Sequence, residues 1–328
     1  MREYVGSKLI IVEGLTGSGK SIMAHFIARQ LEYNGIPASW VHEGEEPHPI
    51  LMDVESSIES FMAEMRKKWA AYVTQVGLSQ VKVVEASFFN NLIEYLLAYN
   101  VDRPQIIQYG DELQSIIEPL NPTLIYLVHK DVARSLERNF KDRGEGFMNY
   151  VIQYATDTPL AKRRGWQGYE GMLMFWHELV AVMDELFQRY HIRKLKIDNS
   201  AGNWDDCNRQ VLECLSIPLI PEPGVSQSEA MGLIGVYKDR KSDKEFTVHY
   251  EDGELTINIF LNVRTRLVRR TEKVFVTEGW HFEVSFESDS SSGASVMRIG
   301  GRDIDYLLLV GTVADKASAP RPSSTVMR

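Results

Sequence analysis

Gly14-Leu15-Thr16-Gly17-Ser18-Gly19-Lys20-Ser21 fits the pattern G-x-x-x-x-G-K-[ST]. Its residue types suit one task, holding phosphate. Glycines let successive backbone N–H groups turn inward around phosphate oxygens, and a helix that opens at the last glycine adds partial positive charge. Lys20 has the reach for the β- and γ-phosphates of a nucleotide, and the Ser21 hydroxyl suits Mg²⁺. Gly14, Thr16, Gly17, Ser18, Gly19, Lys20 and Ser21 are therefore the expected nucleotide contacts. The stretch Lys8–Gly14 leading into the motif reads as a buried strand, and Lys20–Tyr33 as an amphipathic helix closed by Asn34-Gly35.

Strand and helix patterns alternate after this motif. Ala38–Glu43, Val81–Ser87, Thr123–Val128 and Ile192–Ile197 are strand-like. Helical periodicity marks 50–76, 90–99, 104–118, 131–143, 169–190 and 204–215. Strands apolar along their length and separated by helices predict an α/β fold with a five-stranded parallel sheet covered on both faces. Residues 144–168 lack an apolar period and contain Lys162-Arg163-Arg164, so a loop acting as a lid over the site is expected there.

The texture changes near residue 218. Pro218, Pro221, Pro223 and Gly224 mark a linker over 218–230. From 231 to 316 polar and apolar residues alternate, as in Glu245–Tyr250, Leu255–Phe260 and His281–Phe286. This predicts a small antiparallel β domain, either barrel or sandwich. The tail 317–328 is expected to be disordered.

The whole chain has 328 residues and a net charge of -9. That balance disfavours a nucleic-acid polymer or an anionic membrane as partner. Cys207 and Cys214 lie two helical turns apart and read as thiols rather than a bridge. The first residues do not form a signal peptide and no stretch reaches membrane-spanning length, so a cytoplasmic location is expected.

Which phosphate chemistry the motif serves turns on residues further along. Neither a D-x-x-G switch nor an N-K-x-D guanine motif stands in sequential position. The chain offers an acidic loop at Glu43-Gly44-Glu45-Glu46-Pro47, a strand-end Glu85, an arginine-rich helix over 131–143 and a basic segment after it. That layout over roughly Lys8–Ile217 resembles the P-loop small-molecule kinases of the deoxynucleoside kinase and thymidylate kinase-like group. The resemblance implies ATP and Mg²⁺ as cofactors and a small-molecule phosphoryl acceptor, most naturally a nucleoside or nucleotide. It implies catalytic roles for Lys20, Glu43, Arg138 and Arg143, with Glu43 accepting the proton of the acceptor hydroxyl. Ser21 and Glu85 would serve the metal. Arg134 would touch phosphate, and the loop Asn199-Ser200-Ala201 would pack on adenine. Glu43 and Glu46 are the candidates for acceptor contact by strand end and by Glu-Pro dipeptide. Trp69 and Tyr72 could stack a planar acceptor, or line the core instead. Where that family carries arginine after the third strand's acid, this chain has Ala86.

Gly232-Leu-Ile-Gly235, Asp252-Gly253-Glu254-Leu255 and Phe282-x-x-x-Phe286 resemble the small β domain appended to serine β-lactamase-like proteins. It is read as an accessory module for packing or for self-association into a homo-oligomer. A nucleotide-binding regulatory or scaffold protein, whose β domain contacts a partner, is the alternative function.

Overall fold

The computed structural model describes residues 4–51, 57–76, 80–260, 263–287, 295–304 and 307–317. The tail expected over 317–328 lies, from 318 on, outside these residues, as do residues 52–56 of the second expected helix. The chain divides into two compact units, Met1–Pro221 and Glu222–Arg328.

The first unit runs β1 (Leu9–Gly14), α1 (Lys20–Tyr33), β2 (Ala38–Val41), α2 (Ile58–Val76), β3 (Val81–Glu85), α3 (Leu92–Ala98) and α4 (Arg103–Ile117). It continues with β4 (Thr123–Val128), α5 (Val132–Arg143), α6 (Glu145–Thr156), α7 (Pro159–Arg164), α8 (Gly168–Arg189), β5 (Arg193–Asp198) and α9 (Trp204–Leu215). The five strands are parallel, in the order β2-β3-β1-β4-β5. Connections leave β1 toward β2 on one side and reach β4 on the other. The carboxyl end of β1 is thus the point where strand order reverses, the usual ligand crevice of open α/β sheets.

Period-two geometry splits β1 between the two faces of the sheet. Leu9 and Ile11 join one core with α2, α3, α4 and α8, whereas Ile10 and Val12 join another with α1 and α9. The same alternation puts Glu13 on the α3/α8 face. On β3, Val81 and Val83 share the α1 face, which is where Glu85 follows. Register sets Glu85 beside Val12, Leu127 beside Gly14 and Asp198 beside Val128. One edge of the sheet therefore gathers the strand ends.

The expectation of a loop over 144–168 is corrected, because α6 and α7 occupy most of it. These helices bury little, chiefly Val151 and Ala155 on α6 and Leu160 and Ala161 on α7. So narrow an apolar face leaves no clear helical period in the sequence. Thr158 caps α7, accepting the Ala161 N–H at 3.1 Å.

The second unit opens with α10 (Gln227–Leu233), started by a capping box between Ser226 and Glu229. The strands β6 (Gly235–Asp239), β7 (Glu245–Glu251), β8 (Glu254–Phe260), β9 (Val263–Arg269), β10 (Val274–Thr277), β11 (Phe282–Glu287), β12 (Val296–Gly301) and β13 (Val313–Lys316) follow. Each pairs antiparallel with its chain neighbours, and β13 returns to β6, so eight strands close as an up-and-down barrel. Closure removes the sheet edges at which chains aggregate. Phe246, Leu255, Ile257, Phe275, Phe282, Val284, Met297 and Ile299 fill the interior. Ion pairs such as Arg298–Glu287 and Arg240–Asp315 bridge neighbouring strands outside.

A separate core in each unit predicts that residues 222–328, expressed alone, fold. The expected result is a strand-type circular dichroism spectrum and one cooperative melt. A spectrum without structure would show that this core is insufficient by itself.

Candidate active site

The turn between β1 and α1 has the backbone that its glycines permit. Gly17 and Gly19 have φ of 79° and 94°, and both are pressed by neighbours. A methyl group on Gly17 would come within 2.8 Å of Asn139 Nδ2, and one on Gly19 within 2.4 Å of the Trp204 ring. Any side chain at either position would therefore meet both strain and collision. Asn139 comes from α5 and Trp204 from the start of α9, so two distant helices hold the turn in shape. Asn199 adds a third brace, donating from Nδ2 to the Ser18 carbonyl at 3.0 Å. Asn199 is itself fixed by its own N–H on the Val128 carbonyl at 2.9 Å.

Lys20 is 6 % exposed, with Nζ 3.4 Å from the Leu15 carbonyl oxygen. The Glu85 carboxylate is fully buried and senses Glu43, Lys20 and the Ser21 hydroxyl. Glu85 Oε1 accepts the Glu43 N–H at 3.3 Å and lies 3.5 Å from His42 Nε2. Its Oε2 is buried and has no hydrogen-bond partner among the described residues. Burial first, and the Glu43 charge second, push the Glu85 carboxyl well above the usual carboxylate range, while Lys20 and Ser21 pull the other way. A buried carboxylate with one orphaned oxygen beside a serine hydroxyl fits a divalent cation, which would restore its charge. Ser18 Oγ, also buried and unpartnered, fits a phosphate acceptor in the same way. No cluster of three or more metal-ligating side chains occurs among the described residues. Such a cation would therefore depend on Ser21, Glu85 and phosphate oxygens.

Two further carboxylates, which the sequence reading did not single out, stand close by. Glu13 is the penultimate residue of β1 and is completely buried. It accepts the N–H of Phe88 at 2.7 Å and of Asn90 at 3.1 Å, tying the loop after β3 to the strand before the turn. Burial raises its carboxyl to about 7, against the lowering pull of these backbone donors and of Lys20. Glu94 on α3 is buried, and the Tyr154 hydroxyl of α6 donates to it. Burial likewise lifts Glu94 to about 7, and it senses both Lys20 and Glu43. Ala86, which follows Glu85 where the resembling family carries arginine, takes a left-handed backbone with φ 51°.

The remaining expected residues scatter more widely. Arg134 and Arg138 are exposed on α5, and Arg138 Nη2 lies 3.3 Å from His129 Nδ1, just past β4. Burial and the Arg138 charge hold His129 below its ordinary pKa. Arg143 stacks its guanidinium 4.7 Å over the Phe147 ring. Ser200 accepts the Lys130 N–H at 2.8 Å and donates to Asp198, and Ala201 is exposed.

Two expected acceptor contacts are displaced. Glu46 is exposed, and Glu45 is the one that turns inward, accepting the His42 N–H at 3.1 Å. Trp69 is fully buried, edge-on to Tyr72 and to Phe88, so it fills the core and leaves no open face for stacking. Tyr72 is buried as well, although its hydroxyl has no partner among the described residues. His48, with both the Ile50 and Leu51 N–H groups on Nδ1, is kept neutral. Burial brings its pKa down to about 4, though Glu45 pulls upward.

Protonation of Glu13 is coupled to folding. Its pKa is raised from 4.5 to about 7 in the folded chain, so it binds a proton more tightly folded than unfolded. The resulting stability is fully present below pH 4.5 and is lost as pH rises through about 7. The size is roughly 3 kcal/mol. Glu13→Gln is expected to flatten this part of the stability–pH curve, measured by urea unfolding at stepped pH. An unchanged slope would contradict the assignment.

No family model matches the chain, and no curated protein matches it significantly. Among solved structures, an unliganded sugar kinase from Janibacter sp. HTCC2649 overlaps 64% of this chain and 95% of its own, at 15% identity and a TM-score of 0.35. A cysteine-to-alanine mutant of the Mycobacterium tuberculosis APS kinase CysC overlaps 37% of this chain and 76% of its own, at 16% identity and a TM-score of 0.27. Likenesses this slight carry no inference about activity, which has to come from the residues themselves.

Proposed function

We propose that the first unit transfers the terminal phosphoryl group of ATP to a hydroxyl of a small molecule, a nucleoside or nucleotide being the acceptor class that the sequence resemblance implies. The observation that carries this reading is the buried, half-satisfied carboxylate of Glu85 beside Lys20 and Ser21. A turn that only joined a strand to a helix would have no use for a desolvated carboxylate at its open edge.

Phosphoryl transfer asks a protein for position, charge neutralisation and a proton acceptor. Inward N–H groups of residues 14–21 would cradle the phosphates, with Lys20 neutralising charge between the β- and γ-phosphates. Ser21 and Glu85 would hold Mg²⁺, whose contribution is to neutralise phosphate charge. Glu43, half-buried at the mouth, would take the hydroxyl proton. Arg134 and Arg138 extend from α5 where they could reach the transferring group, and Asn199-Ser200-Ala201 would pack on adenine. Arg143, held on Phe147, would need a different rotamer to join them. Carboxylates crowd the acceptor side, which favours an uncharged or cationic acceptor over one that is already phosphorylated.

Release of ADP in the presence of an acceptor panel of nucleosides, nucleotides and amino alcohols tests the reading. At least one acceptor should accelerate it, and Lys20→Ala should cost about 100-fold or more. Glu43→Gln should lower turnover by roughly 10²–10⁴ with little change in ATP affinity. Tight nucleotide binding with no acceptor effect would contradict the reading and favour a nucleotide-set switch instead.

A further inference from the structure

Beside the buried Glu94 lies a cavity of about 560 Å³, framed by Tyr95 and Tyr99 from α3 and its end, and by Tyr150 and Tyr154 from α6. The first two rings lie 4.4 Å apart at 33°, and the second two 6.3 Å apart at 30°. Tyr99, Tyr150 and Tyr154 expose 47%, 63% and 43% of their surfaces, unusual for so many aromatics in one place. Gln153, Asp157 and Thr158 complete the polar part of the lining, and no lysine or arginine is among the described residues that line it. Tyr154 links the cavity to Glu94, which senses Lys20 and Glu43. Tyr154 and Glu94 both sense the Glu43 charge, so the cavity lies within electrostatic range of the glycine turn.

Aromatic faces carry negative quadrupole potential, and carboxylates behind or beside them deepen it. An anionic ligand would find no counter-charge here, and a neutral aliphatic one would waste Asp157 and Glu94. We infer that this cavity binds an organic cation, an ammonium-bearing small molecule, which enters between the tyrosine pairs and presents its hydroxyl toward Glu43. This rests on the phosphotransferase reading for what happens to the hydroxyl, but not for the binding itself. On that reading the acceptor is an amino alcohol or a larger hydroxylated amine, in place of the nucleoside or nucleotide that the sequence resemblance implies.

Calorimetric titration of the full chain without ATP separates the two claims. The probes are choline, benzyltrimethylammonium and neohexyl alcohol, the neutral carbon isostere of choline. The cations should bind about tenfold or more tightly than the isostere. Tyr99→Ala and Tyr150→Ala, both at exposed positions, should weaken cation binding several-fold, whereas Tyr150→Phe should retain it. Glu94→Gln should weaken the cations and leave the isostere unchanged. Equal affinity for cation and isostere, no binding of either cation, or binding indifferent to Tyr99 and Tyr150 would each overturn the inference. Cation binding without any transfer from ATP would leave the cavity assignment standing and sink the phosphotransferase reading alone.

Discussion

Glu85 sits where a charge is hardest to keep, fully enclosed between β1, the first turn of α1 and the loop after β2. Its carboxylate is reached by the Glu43 N–H, approached by His42 and Lys20, and left with one oxygen unpaired among the described residues. Desolvation of a carboxylate costs several kcal/mol unless charge and hydrogen bonds offset it. Lys20 supplies part of that offset and is itself nearly buried, so the two constrain one another. The glycine turn, pinned by Asn139, Trp204 and Asn199, fixes where Lys20 begins. Much of the first unit can be understood as scaffolding for that pair.

Four carboxylates gather near one lysine, and they play different parts. Glu13 faces inward to the backbone of residues 88–90 and shapes the loop that follows β3. Glu85 faces the turn, Glu94 faces the tyrosines, and Glu43 stands half-exposed at the mouth. Because burial raises the first three, some of them can stay protonated near neutral pH. Arrival of Mg²⁺ or of an organic cation would then pull protons off, coupling ligand charge to site charge.

The strands and most of the helices could be read from the chain, since β1, β3 and β4 are short, largely apolar runs and α1, β4 and α9 have the bounds that periodicity gives them. The tight glycine turn between β1 and α1 was also readable, because its residues are contiguous. Glu13, Glu94, Asn139 and Trp204 were not, since their importance comes from sheet order and helix packing across long separations. The α6–α7 segment looks like a loop in sequence for want of a wide apolar face. Trp69 belongs to a helical stripe with Phe61, Met62, Met65, Tyr72 and Val76, and such a stripe looks the same whether it meets a core or a ligand. Alternation in the second unit suits barrel and sandwich equally. What decides is the pairing of β13 with β6 and of β9 with β10.

The central claim, that Glu85 and Ser21 prepare the phosphate turn for a divalent cation, is tested most directly by ATP affinity with and without Mg²⁺. In the unmodified chain Mg²⁺ should tighten ATP binding by about tenfold or more, a gain of roughly 1.4 kcal/mol. In Glu85→Gln that gain should vanish while metal-free affinity stays similar. A Glu85→Gln chain that keeps the full Mg²⁺ gain would contradict the account.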